Sequence, residues 1–161
     1  MDVNKIKALF PMYTKHPDLI YLDSSATSLK PQYVLDKMNE YYSDYGVNIH
    51  RGVYNLSYIA TDKYDEARQN IASFLNADFQ EIVFTKNVTE ALNKAALMFS
   101  EFLSPGDEVI TTELEHHSSM LPWQVISKNK GLKLTYLPLT KEGRITVENF
   151  KKTITNKTRV I

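Results

Sequence analysis

The sequence predicts an α/β domain, a mainly parallel sheet with flanking helices. Two observations carry this. From residue 81 onward, short apolar runs of strand length alternate with longer stretches of helical periodicity. The joints between them carry turn chemistry, as in "SPGD" at 104–107 and "KEGR" at 141–144. Strands that alternate with helices form β-α-β units, whose strands run parallel.

Taken in order, residues 1–19 read as an N-terminal helical segment and 20–161 as the domain. "LIYLDSSATSLKP" (19–31) reads as a short strand, a loop of small hydroxyl residues and a proline stop. Over 32–45 the apolar residues Val34, Leu35, Met38, Tyr41, Tyr42 and Tyr45 recur at helical spacing, and Gly46 suits a helix end. "VNIHRGVYNLS" (47–57) reads as a loop. Residues 60–76 predict a second helix with Ala67, Ile71, Phe74 and Leu75 on its apolar face.

Beyond it, "EIVFT" (81–85) predicts a strand and "TEALNKAALMFSEFL" (89–103) a helix. "EVITT" (108–112) is the next strand. "SSMLPWQVISKNKG" (118–131) is a helix with Pro122 in its first turn and Gly131 at its end. "LKLTYLPL" (132–139) is a strand, "TVENFKKTI" (146–154) a helix capped by Thr146, and "TRVI" (158–161) opens another strand. Val160 and Ile161 look like the first buried positions of that strand, so the sequence predicts a domain truncated within it. A short edge strand is the plainer alternative.

Composition narrows the function. The chain has 161 residues, 43% hydrophobic, enough for one domain with a core. Lysine plus arginine and aspartate plus glutamate number 19 each, for a net charge of +0, which argues against a dedicated nucleic-acid binder. No apolar run approaches the ~20 residues of a membrane helix, and the N-terminus lacks a secretory pattern. A cytoplasmic protein is expected. Cysteine is absent, so the chain holds no disulfide, thiolate metal site or thiol nucleophile.

Four segments could carry chemistry. In "VFTKNVTEALN" a strand, a short loop and a helix start near Thr89 follow one another. Free amides at a helix N-terminus favour an anion, and Thr89 adds a hydroxyl, so Asn87, Val88 and Thr89 form a candidate phosphate cradle. Thr89 acting only as a helix cap is the plainer reading. In "ELEHHSSMLPW" His116 and His117 are adjacent; in an extended segment they point to opposite sides and cannot share a metal. With no HExxH, a metal site is not expected. One imidazole facing the carboxyl end of the sheet could stack on a planar ring and move a proton. In "NIHRG" (48–52) Asn48, His50 and Arg51 cluster, and Arg51 could grip a carboxylate or phosphate. In "DSSATS" (23–28) small residues such as Ala26 allow close approach of a ligand. Each of these alone has a bland explanation: a cap, a histidine with one backbone bond, a solvated loop, a polar turn.

Together and in order, "YLDSSATSLKP", "NIHRGVYNLSYIATDKYDEAR", "IVFTKNVTEALN", "GDEVITTELEHHSSMLPWQ" and "GRITVENFKKTITNKTRVI" resemble the N-terminal part of cysteine desulfurases. These are pyridoxal-phosphate enzymes of the class V aminotransferase group. HRG after the first long helix, and EHH followed by PWQ, resemble the Suf-type branch in particular. The resemblance implies a partial fold-type I pyridoxal-phosphate transferase large domain. It implies pyridoxal 5'-phosphate as cofactor, its phosphate on Asn87, Val88 and Thr89 and its ring stacked on a catalytic His116. It also implies that the loops holding Ala26, Asn48, His50 and Arg51 line the active site and the dimer contact. The parent activity implied is conversion of L-cysteine to L-alanine with an enzyme-bound persulfide, passed to a sulfur-acceptor protein for iron–sulfur cluster assembly, in a homodimer.

Three positions depart from the pattern. Many relatives have Gly-Thr-Thr-Glu where this chain has Asn87-Val88-Thr89-Glu90, and often a histidine where it has Tyr54. The family's cofactor lysine, pyridine-pairing aspartate and catalytic cysteine have their places beyond Ile161. The chain alone is therefore expected to be inactive, and poorly soluble or loosely folded where the rest of a sheet would cover it. The alternatives are a selenocysteine lyase or other class V enzyme, or a non-catalytic remnant.

Overall fold

The computed structural model describes residues 2–161, and the chain divides after Ile82 into two units. In the first, the Asp2 carboxylate caps helix α1 (Val3–Lys7) by accepting from the Asn4 and Lys5 amides, and Pro11 opens α2 (Pro11–Lys15). Segment 19–22, expected as a strand, has no ladder partner among the described residues. Extended backbone becomes a strand only when a neighbour takes its amides and carbonyls. The segment instead leads into a turn in which the Ala26 and Thr27 amides donate to the Asp23 carbonyl.

Helix α3 (Gln32–Glu40) appears where periodicity put it, then widens into a π-helical turn over Tyr41–Tyr45. Gly46 ends it for a different reason from the one expected. Its φ of −68° is open to any residue, but a Cβ there would lie 2.9 Å from the Tyr41 carbonyl oxygen.

Helix α4 (Asn55–Leu75) begins earlier than expected and ends on Asn76 in the left-handed region. Its buried face is not the one the apolar residues suggested. Ala67, Ile71, Phe74 and Leu75 are exposed, Phe74 by 85%. Burial follows Ser57, Ala60, Thr61, Tyr64, Arg68 and Ala72, a stripe of small and polar residues at the same helical spacing. The return of the chain explains the choice. The Ala77 amide donates to the Ala72 carbonyl, and a 3₁₀ turn (Phe79–Glu81) folds back along α4. Arg68 lies over the Phe79 ring, 4.3 Å from its centroid, and its Nε donates to the Ile82 carbonyl. A long side chain with an apolar stem can thus occupy the inner stripe while its charged end finds a carbonyl and a ring.

The second unit is the α/β part. Residues 81–85, expected as a strand, carry no ladder among the described residues: Glu81 closes the 3₁₀ turn and extended backbone resumes at Ile82. Helix α5 (Val88–Ser100) follows, then strand β1 (Glu108–Thr111), α6 (His117–Lys130), β2 (Lys133–Tyr136), α7 (Val147–Thr153) and β3 (Thr158–Val160). All three strands are parallel in the order β2-β1-β3, with Val109 opposite both Leu134 and Val160. As the middle strand, β1 is buried along its length. It therefore reads as a continuous Val-Ile-Thr run, the pattern of a parallel strand covered on both faces. Ala96, Ser100 and Ser127 are buried on the helices, small residues that let backbones approach. Gly131, at φ +67°, ends α6 in the left-handed conformation expected of it.

One buried residue in the sheet is charged. Glu108 is 1% exposed at the head of β1. Its Oε1 accepts from Lys133 Nζ at 2.6 Å and Thr135 Oγ1 at 2.8 Å, both on β2. Its Oε2 accepts from Thr155 and Thr158 Oγ1, each at 2.8 Å, at the opposite edge. One carboxylate thereby ties all three strands. The Lys133 ammonium, then the three hydroxyls, hold its pKa down to about 2.

Candidate active site

Helices α5 and α6 lie side by side. A cleft between them is lined by Asn93, Lys94 and Leu97 from one and by Leu121, Pro122 and Val125 from the other. At their far ends Lys130 Nζ donates to the Ser100 carbonyl at 2.8 Å, so the two helices run the same way and their N-termini share the end of the sheet where β1 hands the chain to α6. In open α/β sheets, ligands bind at the carboxyl ends of strands.

The head of α5 is capped by Asn87, not by Thr89: Asn87 Oδ1 accepts from the Glu90 amide at 2.9 Å. Glu90 reaches back, its Oε2 accepting from the Lys86 amide at 2.7 Å. Its Oε1 meets Lys94 Nζ at 2.7 Å, one turn further along. Lys94, then the Lys86 amide, hold the Glu90 carboxyl below its ordinary value. That leaves the amides of Asn87, Val88 and Thr89 and the Thr89 hydroxyl with no protein acceptor among the described residues, all on exposed residues. Cap and cradle thus coexist, because the capping is done by side chains at either end of the trio. Free amides at the positive end of a helix are a fitting seat for a phosphate. Val88 has a free amide but no side-chain hydroxyl, one donor where a threonine would offer two.

His116 is the N-cap of α6 and His117 its first helical residue. The two are therefore not neighbours in one extended segment, and their rings do not face opposite ways. The centroids are 6.4 Å apart and the planes tilt by 48°. Both residues are exposed. His116 Nδ1 accepts from the Ser118 amide at 3.1 Å, which fixes the ring's orientation. Ser118 Oγ also lies 2.8 Å from Nδ1 and can accept from a proton placed there. Either tautomer of His116 thus finds a partner at Nδ1 while Nε2 stays open. No cluster of three or more potential metal ligands occurs among the described residues.

In the other unit, the 48–52 loop is held by the first turns of α4. Ser57 Oγ donates to the Asn48 carbonyl at 2.8 Å, and the His50 amide donates to Thr61 Oγ1 at 2.9 Å. Thr61 Oγ1 in turn donates to the Ser57 carbonyl at 2.7 Å. His50 is pinned in the left-handed region at φ 65°, its ring edge-on to Tyr64 at 5.5 Å. Such backbone costs about 1–3 kcal/mol and persists only where its surroundings enforce it. Gly52 leaves no free room for a side chain: a Cβ would fall 2.4 Å from Ser57 Oγ. Asn48, His50, Arg51 and Ala26 are all exposed.

Sequence reasoning did not single out Glu90, Ser57 or Thr61. Glu90 was legible, because asparagine followed three residues later by glutamate is a capping-box pattern. Ser57 and Thr61, four residues apart on one helix, gave no such sign until the loop they hold was visible.

The class-V aminotransferase family profile matches residues 20–161, and the chain belongs to that family. Its relatives include proteins named as cysteine desulfurases. The chain is 43% identical over 166 residues to a probable cysteine desulfurase of Halalkalibacterium halodurans, spanning 100% of this chain and 41% of that one. The apo structure of the cysteine desulfurase of Thermococcus onnurineus NA1 superposes with a TM-score of 0.85 at 41% identity, over 94% of this chain and 37% of that one. A cysteine desulfurase of Escherichia coli in its S-sulfonic acid form gives 0.81 at 34% identity, over 99% and 40%. The chain thus spans about two fifths of the length of the curated relative, and its parallel sheet with flanking helices is part of a fold-type I domain.

Proposed function

We propose that this chain provides the phosphate seat and ring platform for pyridoxal 5'-phosphate in a cysteine desulfurase of the Suf-type branch. The whole enzyme would take L-cysteine to L-alanine and pass the sulfur, as an enzyme-bound persulfide, to an acceptor protein for iron–sulfur cluster assembly. It would act as a cytoplasmic homodimer; no described helix is long and apolar enough to cross a membrane. The observation that carries the proposal is the trio of unengaged amides at the head of α5, with Thr89 Oγ1 beside them.

The cofactor, when bound, supplies an electron sink for bond breaking next to the substrate's amino group. The chain's own residues bind and orient. The Asn87, Val88 and Thr89 amides and the Thr89 hydroxyl donate to the phosphate, at the positive end of α5. His116 offers a ring face whose orientation the Ser118 amide fixes, and Nε2 is the atom at which it gives or takes a proton. Ala26, Asn48, His50 and Arg51 are assigned to the substrate and dimer surface. The Arg51 guanidinium makes no ion pair among the described residues and suits a carboxylate. The family resemblance implies a Schiff-base lysine and a cysteine nucleophile outside this chain, and without them this chain would be inactive by itself.

The test is equilibrium dialysis of the purified chain with pyridoxal 5'-phosphate. Saturable binding is expected that inorganic phosphate competes away and that Thr89→Val weakens about tenfold, the worth of one charge-assisted hydrogen bond. Binding indifferent to both phosphate and Thr89→Val would refute the assignment.

A further inference from the structure

The cradle at the head of α5 has a feature that a bare helix N-terminus does not. A carboxylate sits within it, and a lysine sits on that carboxylate. Glu90 Oε2 takes the Lys86 amide at 2.7 Å, while Glu90 Oε1 meets Lys94 Nζ at 2.7 Å. Without the first contact, the Lys86 amide would have no acceptor, and the Asn87 cap alone would hold the loop to the helix. Without the second, a full negative charge would stand beside the three amides that await a phosphate.

We propose that Glu90 and Lys94 together set the anion affinity of the Asn87–Val88–Thr89 cradle, Glu90 as a positioning residue for its loop and Lys94 as the charge that cancels Glu90. The inference rests on the phosphate assignment above and adds to it a control on selectivity. With Glu90 neutralised, the seat accepts a doubly charged phosphate. With Glu90 uncovered, its charge opposes the phosphate and the seat holds it less tightly. Lys94 itself need not touch the ligand. It acts through Glu90, whose side chain is 31% exposed and therefore only partly screened by water.

The probe is pyridoxine 5'-phosphate, which has no aldehyde to react with surface lysines, titrated into the intact chain and followed by the phosphorus resonance. Lys94→Met is expected to weaken binding about five- to tenfold, the effect of one uncompensated charge a few ångströms from a phosphate in partly screened surroundings. Glu90→Gln keeps an acceptor for the Lys86 amide and is expected to bind as tightly as the unaltered chain or tighter. The double variant Glu90→Gln with Lys94→Met is expected to recover the affinity that Lys94→Met loses. A merely structural role for the pair would make the double variant the weakest of the three. Equal affinity in the unaltered chain and Lys94→Met, or no recovery in the double variant, overturns this inference and leaves the phosphate assignment standing. No saturable binding by the unaltered chain overturns both.

Discussion

Replacing Glu108 by glutamine keeps the side chain's shape and removes its charge. In the sheet, Lys133 Nζ and three threonine hydroxyls converge on this carboxylate. The hydroxyls can rotate to accept from an amide; the ammonium cannot. The carboxyl is held at about 2 against an ordinary 4.5. At about 1.4 kcal/mol per tenfold change in proton affinity, linkage bounds its contribution at about 3.4 kcal/mol. The Lys133 side chain is 65% exposed, so water and salt screen it, and about 2 kcal/mol is the expected loss for Glu108→Gln at neutral pH. The direction with pH follows from the depressed value. The contribution is fully present above about 4.5, where the unfolded carboxyl is also ionised, and is lost as pH falls through about 2. Denaturant melts of both chains from pH 7 to 2 would read it. The two stabilities should differ by about 2 kcal/mol above pH 5 and converge as pH approaches 2. Glu40 and Glu90, also held below their ordinary values, are common to both chains and cancel in the difference. Curves that stay parallel across this window, or a glutamine variant as stable as the original at pH 7, would refute the three-strand tie.

Gly52→Ala is expected to cost about 1–3 kcal/mol, since the new Cβ meets Ser57 Oγ at 2.4 Å and Ser57 Cβ at 2.5 Å; thermal melts and trypsin cleavage after Arg51 would show a looser loop. At His116 two variants separate two roles. His116→Asn keeps an acceptor for the Ser118 amide and should melt like the unaltered chain, while His116→Ala loses the cap, about 1 kcal/mol. Both should bind pyridoxine 5'-phosphate more weakly, having lost the ring.

The α/β part of the fold was legible because its code is local. Caps at Thr146 and Gly131 and the apolar run at 108–111 stand where the sequence puts them. The strands expected at 19–22 and 81–85 were not legible, because a strand is a statement about a partner, and propensity says nothing of whether one is present. Helix α4 misled for another reason. Its most apolar residues, Phe74 and Leu75 among them, are exposed, and the face it buries carries Ser57, Thr61 and Arg68. Hydrophobicity identified a helix, but the fold-back at Phe79–Glu81 chose its inner side. At the candidate site the residue types were readable and the division of labour was not. Asn87, Glu90 and the Thr89 hydroxyl became cap, clasp and free donor only once the helix start was fixed at Val88.

The strand order β2-β1-β3 also has a consequence in time. The middle strand is made first, and both of its neighbours come later in the chain. Glu108 emerges 25 residues ahead of Lys133 and 50 ahead of Thr158. At about 5–20 residues per second of synthesis, the last of its partners follows roughly 3–10 seconds later. Through that interval the strand that will be innermost is still waiting for both neighbours, its acid ionised and hydrated. A charge at the head of an otherwise apolar strand is a suitable guard for the wait, since it opposes early pairing of that strand with another nascent chain.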